Sequence, residues 1–92
     1  MEELISKVGF IKFDDNKYGA LNLYGSYIVL ERANSISKIW KLSYPSNKNN
    51  LTWSFINIPP TEDEFIKFLS YLNIKIDKDL TPTQLEFFKK NC

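Results

Sequence analysis

The chain has 92 residues, 43% of them apolar and 15% aromatic, with twelve basic against eleven acidic side chains and a formal net charge of +1. That length gives one domain around one core, the apolar content lies outside the disordered regime, and the near-zero charge excludes a strong global field for polyanions or anionic membranes. With no histidine and one cysteine, Cys92, the chain lacks the commonest general base and metal ligand, and excludes an internal disulfide or a one-chain thiolate zinc site.

Residues 1–7 lack the basic region and long apolar run of a signal peptide, and no stretch approaches the ~20 apolar residues of a membrane span. A cytoplasmic location with no membrane partner is the expectation. Val8 to Phe13 is β-branched and aromatic and is closed by Asp14-Asp15-Asn16-Lys17, which predicts a strand and a turn. The same turn resembles the opening of a calcium loop, but Gly25 stands where the bidentate glutamate belongs, so a tight turn is the better match. From Ala20 to Glu31 the chain reads as a hairpin turning at Gly25-Ser26, with a bulge in one long strand as the competing reading.

Between Ser35 and Tyr44 a period of two puts Ile36, Trp40, Leu42 and Tyr44 on one face and Ser35, Ser37, Lys41 and Ser43 on the other, with Lys38 and Ile39 interrupting it at the start. After the polar loop 45–50, Leu51, Trp53 and Phe55 alternate with Thr52, Ser54 and Ile56, and the two strands should pair as an antiparallel hairpin. Ile58-Pro59-Pro60 ends the ladder, because proline has no N–H to donate. Thr61 with Glu64 predicts one capped helix, carrying Phe65, Phe68, Leu69 and Leu72 on one face, and Thr81-Pro82-Thr83-Gln84 predicts a second that ends in Lys89 and Lys90. A short extended piece is expected at Ile74-Lys75-Ile76. The fold class is therefore α+β, an antiparallel β-meander of four to five strands followed by two short C-terminal α-helices packed on the sheet. It occupies one domain, 1–92, divided at about 7–58 and 61–91.

Seven of the eleven carboxylates fall into three groups, Asp14 with Asp15, Glu62 with Asp63 and Glu64, and Asp77 with Asp79; turn chemistry accounts for the first group and helix capping for the second. Gly9, Gly19 and Gly25 form no phosphate-binding pattern. A non-enzyme without metal or cofactor is the expectation. Lys38, Trp40, Lys41, Tyr44, Lys48 and Trp53 on the second hairpin are candidates for a single-stranded nucleic-acid platform of stacking rings and lysines. Placing Trp40, Tyr44 and Trp53 in the core is the favoured reading, because alternation sets Lys41 on the face opposite Trp40. Arg32 is the only arginine, which counts against base-specific readout.

Tyr18, Tyr24, Tyr27, Tyr71 and Phe87 are the candidates for a protein interface, since tyrosine brings an apolar ring with a polar tip and adjacent Phe87 and Phe88 point about 100° apart on a helix. A non-catalytic protein-interaction module is the leading expectation. Eleven lysines, ten isoleucines and nine asparagines suit an AT-rich coding sequence, as in low-GC bacteria and their phages. Within that class the chain fits a small inhibitor encoded by a phage or mobile element, of the anti-CRISPR or anti-defence type, that occludes a partner. A homodimer through an open sheet edge is a further expectation.

Overall fold

The computed structural model describes residues 2–34, 36, 38–45, 51–78 and 80–92. Ser35, Ser37, Lys48, Asp79 and the rest of the polar loop 46–50 lie outside the described residues. The chain opens with a helix, α1 (Glu2–Val8), and continues with β1 (Ile11–Asp14), β2 (Lys17–Asn22), β3 (Tyr27–Arg32), β4 (Ile39–Pro45) and β5 (Leu51–Asn57). Then come α2 (Glu62–Tyr71), a two-residue strand β6 (Ile76–Asp77) and α3 (Pro82–Asn91). The sheet is an antiparallel meander in the order β1-β2-β3-β4-β5, and β6 pairs with the end of β2 at Leu21 and Asn22. The α+β architecture and both C-terminal helices match the sequence reading.

The helix α1 does not. Val8 was expected to start a strand, but Val8 and Ile5 instead pack one apolar helical stripe into the core. Gly9, with φ +124°, stops the helix: its N–H donates to the Ser6 carbonyl and that of Phe10 to the Ile5 carbonyl. This is a Schellman-type ending, and a seven-residue helix is held by tertiary packing rather than by propensity, which is why the local pattern conceals it. Asn73, with φ +64°, ends α2 in the same way, returning N–H bonds from Asn73 and Ile74 to the Ser70 and Leu69 carbonyls. Both C-terminal helices start at the predicted threonines, and Thr81 forms the complete reciprocal box with Gln84, at 3.3 and 2.8 Å.

The turn between β2 and β3 is a hairpin with a four-residue connection, Leu23 to Ser26, rather than a two-residue turn. Gly25, with φ +89°, donates to the Asn22 carbonyl. Ile36, expected on an apolar strand face, is 87% exposed. The Asn34 side chain accepts from the Ile36 N–H at 3.0 Å, and β4 begins at Ile39.

One face of the sheet carries Tyr18, Ala20, Ile28, Leu30, Trp40, Leu42 and Ile56, covered by Ile5 and Val8 of α1 and by Phe65 and Leu69 of α2. The opposite face receives α3. Gly19 makes this possible, because a Cβ there would stand 2.8 Å from the Phe88 ring, closer than van der Waals contact permits. Phe88 is fully buried, stacked on Phe13 at 5.2 Å and edge-on to Tyr27 at 5.1 Å. The molecule is thus a three-layer arrangement in which the third layer covers only β1 to β3. Gly19→Ala is expected to lower the unfolding free energy by ~1–3 kcal/mol, the usual cost of overpacking. Urea unfolding followed by circular dichroism measures this, and an unchanged midpoint would contradict the seating of Phe88 on Gly19.

Candidate functional site

The half of the sheet that α3 leaves bare is built by β4 and β5. Their register sets Trp40 opposite Ile56, Lys41 opposite Phe55 and Ser43 opposite Trp53. Since successive side chains alternate faces, Ile39, Lys41 and Ser43 share the outer face with Trp53, Phe55 and Asn57. Trp53 is 54% exposed, Phe55 66% and Ile39 52%. The two aromatic rings meet edge-on with centroids 5.2 Å apart, and the Lys41 ammonium lies 5.1 Å from the Trp53 centroid. A shallow groove of about 190 Å³ runs beside them, lined by Glu31, Ala33, Ile39, Lys41 and Phe55.

This placement corrects the expectation that Trp40, Tyr44 and Trp53 are core together. Trp40 is fully buried and Tyr44 half-buried against the core, whereas Trp53 stands on the other face, beside Lys41. In the run Leu51 to Ile56 both alternating sets contain apolar residues, so the pattern alone leaves the face undecided. The pairing of Ile56 with Trp40 decides it. Trp40 is thereby removed from the nucleic-acid candidates, Lys38 is exposed just before β4, and Lys48 lies outside the described residues. Phe55 and Ile39 were missed as surface residues; a strand with aromatic residues on one face and Ile56 on the other was the available signal.

The tyrosine candidates do not assemble. Tyr18 is 2% exposed, with its ring 5.8 Å from Trp40 and its hydroxyl donating to Glu2 at 2.9 Å. It belongs to the core, not to an interface. Tyr27 is half-buried with Phe87 stacked on it at 4.2 Å, so these two close the seam of α3. Tyr24 in the β2–β3 turn and Tyr71 at the end of α2 stand well exposed. Arg32 is committed internally, its guanidinium 4.7 Å above Trp40 and 3.3 Å from Glu2.

No family model matches the chain, and no curated protein or solved structure matches it. Among the described residues no cluster of three or more His, Cys, Asp or Glu side chains is arranged to hold a metal ion, and no helix is long and apolar enough to cross a membrane.

The Tyr18–Glu2 contact has a pH signature. Burial, reinforced by the Glu2 hydrogen bond, pushes the Tyr18 hydroxyl from 10.0 up to about 12, while that bond holds the Glu2 carboxyl below its usual value. The folded state retains the Tyr18 proton after the unfolded chain has released it. The resulting stabilisation is complete below pH 10 and is lost as pH rises from 10 through 12. Tyrosinate absorbance is expected to include a step well above pH 10 that Tyr18→Phe abolishes. A titration curve that Tyr18→Phe leaves unchanged above pH 10 would contradict the burial.

Proposed function

We propose that the chain is a non-catalytic protein-interaction module whose docking surface is the outer face of β4 and β5, and that it acts by occluding or bridging a partner protein. The observation that carries this reading is the exposure of Trp53, Phe55 and Ile39 around Lys41 on a face that α3 does not reach. Burying a large apolar side chain is worth ~1.5–3 kcal/mol, whereas an exposed cation–π contact returns only ~0.5–1 kcal/mol. The Lys41 contact therefore does not offset leaving two aromatic rings in water. Covering by a partner does, and clustered aromatics surrounded by polar residues are the usual anchors of protein interfaces.

The absence of histidine and the use of carboxylates in turns and caps support a non-catalytic role. A small bacterial or phage-borne inhibitor acting in the cytoplasm, of the anti-CRISPR or anti-defence type, is the narrower form of this reading, and it rests on length and residue usage. A second reading, single-stranded nucleic-acid binding, is favoured by one observation: Lys41 and Trp53 share a face, so ring and cation could serve a stacked base and its phosphate. Glu31, directly opposite Lys41 in the register, counts against it.

Affinity capture from lysate of the natural host, with and without nuclease, separates the two. The protein reading predicts a stoichiometric, nuclease-resistant partner whose affinity falls ~30-fold or more in the Trp53→Ala/Phe55→Ala double variant, as for the loss of one interface hot spot. Retention indifferent to the double variant would contradict it. Recovery that disappears with nuclease would establish the nucleic-acid reading in its place.

A further inference from the structure

The two edges of the sheet are built differently. The β1 edge is four residues long, carries Lys12 and Asp14, has its register broken between them, and is packed by α3. Short length, charge and a bulge are the devices by which native sheets prevent edge-to-edge pairing. The β5 edge has none of them. Leu51-Thr52-Trp53-Ser54-Phe55-Ile56-Asn57 is seven residues without a charge, a proline or a glycine, and among the described residues β5 pairs with β4 alone.

We infer that β5 pairs antiparallel with β5 of a second copy of this chain, joining two five-stranded meanders into one sheet about a two-fold axis through Ser54. Three features select a second copy as the occupant. An uncharged strand is compatible with itself, because two-fold pairing sets no like charges opposite each other. Ser54 is the middle residue of seven, so full-length pairing places it opposite itself and sets Trp53 opposite the second copy's Phe55. Opposing residues in an antiparallel ladder share a face, so the four exposed rings become contiguous. Among the described residues the nearest outer-face cations, the two Lys41 side chains, stand on β4 of each copy, three interstrand spacings or about 14 Å apart across the sheet, beyond the ~8 Å screening length at physiological salt.

This pairing uses the backbone edge and not the outer face, so the composite surface of Trp53 and Phe55 from both copies stays open. The docking surface proposed above is then assembled from two chains, and each copy supplies half of the aromatic cluster.

The test combines mass with cross-linking. Sedimentation equilibrium from ~5 to ~200 µM, the range suited to an interface below standard size, should show the mass rising from 10.8 kDa towards twice that value. Ser54→Lys, which sets two charges together on the axis, should return it to the monomer with the far-ultraviolet circular dichroism unchanged. In a Cys92→Ser background, Ser54→Cys should oxidise to a covalent dimer, because residues on the axis stand within the Cα separation a disulfide spans. Thr52→Cys should not, because the two copies of residue 52 lie about 13 Å apart along the strands. A monomer throughout the range, or cross-linking of Thr52→Cys as efficient as that of Ser54→Cys, overturns the pairing. A monomeric chain that still loses its protein partner in the Trp53→Ala/Phe55→Ala variant overturns the pairing while leaving the docking face standing.

Discussion

The seating of Phe88 against Gly19 is the contact on which the outer half of this molecule depends. It draws α3 across β1, β2 and β3, where Phe13 and Tyr27 complete the ring cluster, and Phe87 closes the seam by stacking on Tyr27. A ten-residue helix is about 15 Å long and cannot roof a five-stranded sheet. Once α3 is committed to the first three strands, β4 and β5 have a covered inner face, with Trp40, Leu42 and Ile56 in the core, and an outer face on which Trp53, Phe55 and Ile39 stay exposed among the described residues. The exposure of Trp53 and Phe55 follows from where α3 sits.

The core is arranged so that this asymmetry is maintained. Glu2 of α1 accepts from Tyr18 and pairs with Arg32, whose guanidinium covers the buried Trp40. The only arginine and a core tyrosine are therefore engaged on the inner face, away from the bare one. What remains on the outer face of β4 and β5 is Ile39, Trp53 and Phe55 among Ser43, Asn57 and Lys41, with Glu31 beside Lys41. Such composition suits a protein partner better than a polyanion, for which several phosphate-neutralising cations are the usual requirement.

Sequence made the meander and both C-terminal helix starts legible, because each is written in short-range chemistry. Alternating residues mark the strands, Pro59 and Pro60 end them, and Thr61 and Thr81 cap the helices. The helix α1 was illegible because its amphipathic stripe is two residues, Ile5 and Val8, and Gly9 falls within what reads as a strand. The candidate site was half legible. Lys41 and Trp53 were singled out, but on a hairpin whose two strands both alternate between apolar residues and others, the face of the second strand is fixed by inter-strand register, which is a long-range property. Tyr18 was drawn to the surface by residue type and returned to the core by packing, whereas Trp40 lies in the core as the strand alternation indicates.

Photo-cross-linking in the natural host, with a photoreactive phenylalanine placed either at Phe55, on the outer face of β5, or at Tyr71, an exposed aromatic on α2 outside that face, shows directly which surface meets a partner. The docking surface described here predicts a discrete protein adduct from position 55 and none from position 71. An adduct from position 71 alone would contradict it and move the functional surface to the helical side of the molecule.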